Sequence, residues 1–290
     1  FLLTLNINAQ AESAKTVGLG NFVTTDGVDA LYINPGAVNN ENIFSIRLGA
    51  NAALQNNIIA NEYIDESEKD KILEKLDDGQ FLINLGLKEG FDLAIGPLAL
   101  FSNFREEGLL KFNKDIAEIL LKGNETEAEY FLDGSTGSGA LYNDTGFNIS
   151  FMVPKTDVNI GMNYRLLNGA IFNLQADGNV AIGYDENDEF SLSGDGEFMV
   201  KHSNIEEVDE LSDIASGSAF DIGITGEVNE RLKLGFSLMN IGEMKADSGK
   251  YKKYTLDSST DENFTLDEEG ELDEAITYKL PRTINLGGEY

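Results

Sequence analysis

Hydrophobicity with a period of two residues recurs along most of this chain, and it restricts the fold to antiparallel β architecture. Successive side chains of a strand point to opposite faces, so a two-residue period means one apolar and one polar face. From Ile43, residues Phe44, Ile46, Leu48, Ala50, Ala52 and Leu54 alternate with Ser45, Arg47, Gly49 and Asn51. The pattern returns at Phe81, Ile83, Leu85 and Leu87, and again at Phe147, Ile149, Phe151 and Val153. Val158, Ile160, Met162, Tyr164 and Leu166 oppose Asn159, Gly161, Asn163 and Arg165. Phe220, Ile222, Ile224 and Val228 oppose Asp221, Gly223, Thr225 and Glu227, and Leu232, Leu234, Phe236 and Leu238 oppose Arg231, Lys233, Gly235 and Ser237. A weaker strand covers Asp92 to Phe104, where Pro97 points to an edge or a bulge. An eighth begins near Tyr278 and runs into the C-terminus.

The connections select among all-β folds. Lys88-Glu89-Gly90, Pro154-Lys155-Thr156-Asp157 and Asn229-Glu230 read as short joins, and residues 55–80, 105–137, 169–216 and 243–277 as long ones. Strict alternation of short and long joins is the rhythm of an up-and-down antiparallel transmembrane β-barrel, with tight turns on one rim and long loops on the other. A soluble sandwich spaces its turns more evenly, although the polarity of the strand faces alone does not separate the two. The apolar face would meet outer-membrane lipid. The polar face would line a lumen with Arg47, Asn51, Asn159, Asn163, Arg165, Asp221, Glu227 and Lys233, joined by Asn84, Asn148 and Arg231. Mixed signs there favour internal hydrogen-bonded pairs over a filter for one kind of ion.

Charge and composition remove other classes. Of 290 residues 51 are acidic and 21 basic, a formal charge of −30. Such a chain offers no basic face to release counterions from nucleic acid. It has no Cys, hence neither disulfides nor thiol chemistry, and His202 is its one histidine. No apolar run approaches the ~18 residues of a membrane helix. Nucleophile-elbow and zinc-protease motifs are missing, and Asp133-Gly134-Ser135-Thr136-Gly137-Ser138-Gly139 lacks the Lys-Ser/Thr ending of a phosphate loop, so it reads as a flexible loop. The acids between Asp261 and Glu274 do not follow an EF-hand spacing and read as a solvated, mobile loop. No enzyme activity, cofactor or resident metal is expected.

Two short helices are expected within the long loops. One covers 65–76, with acids in its first turn; the other covers 114–122, capped by Asn113 and stopped at Gly123. A weaker one covers 205–214. The chain opens Phe1-Leu2-Leu3-Thr4-Leu5-Asn6-Ile7-Asn8-Ala9-Gln10-Ala11, the pattern of a secretory apolar region ending in an Ala-x-Ala site, without Met or a charged start. Residues 1–11 are therefore read as the remnant of a signal peptide on an exported protein whose sequence is cut at its start.

Between that remnant and the first strand lie Ser13-Ala14-Lys15-Thr16-Val17-Gly18-Leu19-Gly20 and Ala30-Leu31-Tyr32-Ile33-Asn34-Pro35-Gly36-Ala37. Pro35 fixes its own φ and pushes Asn34 out of the helical region, which makes a turn. Residues 13–37 resemble the amino-terminal region of the FadL/TodX-like outer-membrane barrels and their TraF-like relatives. There an S-A-x-x-x-G-x-G run leads to an A-L-Y-x-N-P-A turn; here the final Ala of that turn is Gly36. The resemblance implies that residues 12–40 form a plug inside the barrel, turned at Asn34, Pro35 and Gly36, with 41–290 as a partial barrel. It further implies more strands than the eight counted here, hence a chain cut at its end as well. The role implied is passage of hydrophobic small molecules across the bacterial outer membrane. The competing reading is a non-transporting structural or secretion-assembly barrel acting through its acidic loops. A lined apolar passage would mark the first, and a lumen filled with packed Arg–carboxylate pairs the second.

Overall fold

A computed structural model of the chain describes residues 27–38, 44–56, 66–76, 80–123, 129–184, 190–203, 214–256 and 264–289. The strands are β1 (Ser45–Asn56), β2 (Phe81–Ile95), β3 (Leu98–Phe112), β4 (Glu129–Phe131), β5 (Ser135–Met152), β6 (Val158–Asp177), β7 (Asn179–Tyr184), β8 (Phe190–Gly194), β9 (Glu197–Ser203), β10 (Ala215–Asn229), β11 (Leu232–Ala246), β12 (Gly249–Leu256), β13 (Phe264–Leu272), β14 (Ile276–Lys279) and β15 (Thr283–Glu289). Helices α1 (Glu66–Lys75) and α2 (Lys114–Lys122) stand in the long joins, and two 3-10 turns, Gly27–Tyr32 and Pro35–Ala37, precede β1. The all-β expectation holds, and every strand pairing is antiparallel.

The main sheet runs β1-β2-β3-β5-β6-β10-β11, after which β15 pairs with Lys233–Met239 and β14 with Glu243–Ala246 of β11. β6 forks: Val158–Gly169 pair with β10, and Phe172–Asp177 pair with β9, which leads on to β12 and β13. Among the described residues β1 pairs with β2 alone and β15 with β11 alone, so the sheet is open at both edges. It is nevertheless strongly curled. Tyr278 on β14, at one edge, donates its hydroxyl hydrogen to Glu107 on β3 at 3.1 Å, five strands away along the sheet. The strands are also staggered. Leu98, beside the β2–β3 turn, is level with Ile149, yet β5 continues to Met152; Met152 is level with Asn159 and Thr225, yet β10 continues to Asn229. A stagger repeated in one sense is what strands tilted against a sheet's axis produce.

Curling separates a convex from a concave face. The concave face carries an apolar cluster of Tyr142, Leu167, Ile171, Met244, Ile276 and Leu280 with small Ala residues, at the long-join end of the strands. Nearer the short turns it is polar and holds the segment 27–38. On the convex face the register aligns apolar side chains into rows. One row is Ile46, Leu93, Leu100, Phe147, Tyr164, Phe220 and Ile241. A second is Ile95/Leu98, Ile149, Met162, Ile222, Leu238 and Ile284, and a third is Phe151, Ile160, Ile224, Phe236 and Leu286. Most of these side chains are bare, Ile284 at 62% and Leu286 at 81% of full exposure.

Several expectations are corrected. Lys88-Glu89-Gly90 is no join but the middle of β2, where Gly90 opposes Gly49 and Asn103. The turn is Gly96-Pro97: a positive φ of 56° at Gly96, followed by proline's fixed negative φ, suits a tight hairpin. Pro97 thus makes the corner instead of weakening a strand. Ser135–Gly139 is not a flexible loop; it begins β5. The acidic run after residue 263 is β13, whose Glu271, Glu269 and Glu268 oppose Lys250, Lys252 and Lys253 of β12, so like charges are spaced against cations instead of repelling one another. The last strand is two, β14 and β15, divided at Leu280–Arg282. Helices α1 and α2 form as expected and pack through Leu73, Leu76 and Ala117 against Phe81. Asn113 caps α2 by accepting from Ile116 N at 3.1 Å. The signal-peptide remnant, residues 12–26 of the plug and the helix expected at 205–214 lie outside the described residues, Ile214 of the last excepted.

Candidate functional site

Residues 27–38 have no regular partner strand, yet most are buried, Ala30, Leu31, Asn34 and Val38 completely. Buried backbone without a ladder must find its hydrogen bonds elsewhere. Here the concave side chains supply them. Asn163 Nδ2 donates to Leu31 O at 2.7 Å, Asn285 Nδ2 to Ile33 O at 2.9 Å, Asn148 Nδ2 to Pro35 O at 3.3 Å and Ser150 Oγ to Gly36 O at 3.2 Å. Ser237 Oγ also donates to Ile33 O. Five side chains on four strands (β5, β6, β11 and β15) thereby hold four consecutive or near-consecutive carbonyls.

The Asn-Pro turn has its own logic. Asn34 is extended (φ −152°, ψ 96°), as a residue before proline must be, and its Oδ1 accepts from Gly36 N at 3.1 Å, capping the 3-10 turn. Its Nδ2 donates to Ile224 O on β10 at 3.1 Å. The turn lies directly on backbone: a Cβ at Gly36 would stand 2.6 Å from Gly223 O, and Cβ atoms at Gly161 or Gly223 would run into Pro35 and Asn34. Glycine at 36 is therefore what lets this turn reach β10.

Tyr32 anchors the other end. Its hydroxyl donates to Asp92 Oδ1 at 2.5 Å and accepts from Asn103 Nδ2 at 2.5 Å. Lys88 Nζ lies 3.1 Å from the ring centroid, and the guanidinium carbons of Arg47 and Arg105 lie 5.3 and 5.1 Å away. Three cations around one ring make a cation–π cage. Phe101 meets the ring edge-on at 5.6 Å, and Val28, Ala30, Leu31, Ala37 and Val38 pack on Ala94, Ala99 and Phe101.

Beside this segment runs a row of charges that changes sign at every strand: Arg47 on β1, Asp92 on β2, Arg105 on β3, Asp144 on β5, Arg165 on β6 and Asp221 on β10. Arg47 binds Asp92 through two nitrogens, Nε at 2.7 Å, and Asp29 of the segment through Nη1 at 3.2 Å. Arg105 reaches Asp144 at 2.8 Å. Arg165 grips Asp144 bidentately, at 3.0 and 2.6 Å, and lies 3.5 Å from Asp221. Asp221 also accepts from Asn163 Nδ2 at 2.9 Å and from Asn240 N at 2.6 Å. Asn240 sits with a φ of +61° at a β-bulge between β10 and β11, which turns its side chain to accept from Arg165 at 2.5 Å. Buried ions tolerate loss of water only when paired this closely. The Tyr32 ring fills the step between Asp92 and Arg105.

Of the residues expected to face a lumen, Arg47, Asn163, Arg165 and Asp221 come together in this cluster. Asn51, Asn159 and Lys233 are half-buried away from it, and Glu227 is exposed near the short turns. Asn34, Pro35 and Gly36 form the seated turn. The residues missed are Asp92, Asn103, Arg105, Asp144 and Asn285. Their signal was parity: each falls on the polar side of its strand. Asp144 and Arg105 were passed over because strands β3 and β5 were started or ended too close to the short turns.

A model of the family described as "Family of unknown function (DUF5723)" matches residues 30–290, taking in the seated turn together with the whole sheet. No curated protein and no solved structure matches the chain.

Proposed function

We propose that this chain, which belongs to the DUF5723 family, is embedded in the bacterial outer membrane by its convex face and serves there as a non-transporting structural or assembly component. The observation that carries this reading is the convex face itself. Three rows of largely exposed apolar side chains cross the sheet, from β1 to β11, from β2 to β15 and from β5 to β15, where a soluble monomer tolerates patches of only about 300–600 Å². The strands alternate, apolar outward and polar inward, as membrane barrels do. The interior supports the non-transporting choice: segment 27–38 and the Arg–carboxylate row occupy the concave face, and β14 crosses its upper part. The forked sheet β9-β12-β13 then stands beyond the apolar rows as a surface for partners.

Passage of hydrophobic small molecules is the second reading. It is favoured by the way the segment is held, through side chains bonding to its carbonyls, so that it could leave without opening any strand ladder. Fractionation and planar-bilayer recording test both. The protein should stay with the outer membrane through high salt and require detergent for release; release by salt alone would defeat the membrane reading. Intact protein should be electrically silent and should not move a labelled fatty acid into vesicles, whereas deletion of residues 12–33 should open conductance. Fatty-acid uptake by intact protein would replace the first reading with the second. Silence of a folded deletion variant would show that the segment seals nothing.

A further inference from the structure

The concave face carries a second polar feature beyond the apolar cluster, at the long-join end. A groove of about 380 Å³ is walled by β3, β5, β6 and β9. Its polar lining is Lys111, Thr136, Ser138, Asn173, Gln175 and Lys201. Register places Lys111 beside Thr136 and Gln175, and Lys201 beside Asn173 and Ser138. Residues two apart on each strand share a face, so these six side chains belong to one surface. The two lysines stand on opposite walls, three strand spacings across and two residues along, roughly 16 Å apart measured over the sheet. Neither ammonium forms an ion pair with a described residue, whereas Lys122, Lys245 and Lys253 each hold a carboxylate. The acid at the rim, Asp177, accepts from Gln175 Nε2 at 2.9 Å. In a chain of formal charge −30, a groove whose lining charges are two cations is a local reversal.

We propose that this groove binds an anionic saccharide, a short sugar chain bearing carboxylate or phosphate groups. Each ammonium supplies a point charge for one oxyanion. Two amides and two hydroxyls between them offer both donors and acceptors, which suits the hydroxyls of a sugar ring. The separation of the lysines asks for two anionic groups on one molecule about a disaccharide long, and the volume lies within the ~300–1,000 Å³ of small-molecule sites. This chemistry does not depend on whether the convex face meets lipid.

Calorimetry on the full chain in detergent tests it, with digalacturonate, inorganic phosphate and maltose as probes. Digalacturonate should bind at least tenfold more tightly than maltose or phosphate, and more weakly as salt is raised. Lys111→Gln and Lys201→Gln should each weaken it at least tenfold, and Lys201→Arg should retain it, all with unchanged melting. Micelles of a lipid with a diphosphorylated disaccharide head group distinguish the source: displacement of digalacturonate assigns the groove to a membrane glycolipid, failure to displace assigns it to a soluble saccharide. Equal binding of maltose, equal binding of phosphate, or undiminished binding by both Gln variants would overturn the proposal.

Discussion

The two faces of the main sheet are built from the same strands, one residue apart, and they solve opposite problems. On the convex face Phe147, Ile222, Phe236 and Leu286 are exposed. On the concave face Asp144, Asn163, Arg165 and Asp221 are buried to 1% exposure or less and hydrogen-bonded to one another. A soluble protein places these classes the other way round. If the convex face meets lipid as proposed, the inversion means that fold stability and membrane attachment rest on separate sets of residues. Register ties them together, because a slip of one residue would exchange the sets on any strand.

The largest effect should come from the buried row. Arg165→Met leaves Asp144 and Asp221 without their shared cation in a site closed to water. Removing one partner of a buried pair costs about 3–5 kcal/mol. Urea unfolding of the detergent-solubilised protein should show a loss of that order. Arg165→Lys, which keeps the charge but not the two-pronged grip on Asp144, should lose less. A Met variant as stable as the parent would mean that the concave face is wet, and the contrast with the convex face would fall.

Next comes the convex face. Ile222 lies in the middle row, between Met162 and Leu238. Arginine at mid-depth on a lipid-facing strand costs about 2–4 kcal/mol. Ile222→Arg should lower the yield of folded protein in lipid vesicles accordingly, and Ile222→Gln should lower it less. If Ile222→Arg instead folds as well as the parent and becomes soluble without detergent, the convex face meets water or protein, not lipid.

How much of this was legible depends on the range over which each feature is determined. Face assignment is local, and the two-residue period found Arg47, Asn163, Arg165 and Asp221 without help. Turns were misread where one residue type serves two purposes. Gly90 looked like a corner but lies in mid-strand, where a Cβ would meet the backbone of Asn103. The ends of long strands were missed because above the apolar rows the convex side chains turn polar (Asn143, Thr145 and Asn168), and the period fades while the hydrogen-bond ladder continues. The acidic run at 267–271 could not be placed on a strand without knowing that β12 would set three lysines opposite. The pairing of Asp92 with Tyr32, 60 positions apart, is fixed only by the curl of the sheet.

The smallest of the three effects probes the seated turn, and it separates close packing from mere burial. Gly36 and Gly49 are both glycines near the start of the sheet. A Cβ at Gly49 meets nothing within 4 Å, while one at Gly36 stands 2.6 Å from Gly223 O and 2.8 Å from its carbonyl carbon. Those are backbone atoms of a paired strand, so neither can swing aside. Gly223 is already bare, which leaves no side chain to trim in compensation. Gly36→Ala must therefore lift the turn off β10, stretching the bonds from Asn34 to Ile224 and from Ser150 and Asn148 to the turn's carbonyls. Overpacking of this kind costs about 1–3 kcal/mol. Gly49→Ala, lacking any such contact, should stay within about 0.5 kcal/mol of the parent. Hydrogen exchange resolves the two. The amides of residues 30–38 should exchange faster in Gly36→Ala, while those of β5, β6 and β10 keep their ladder protection. Equal exchange in the two alanine variants would mean that the turn does not rest on the β10 backbone, and that its cover over the charge row is looser than the concave face requires.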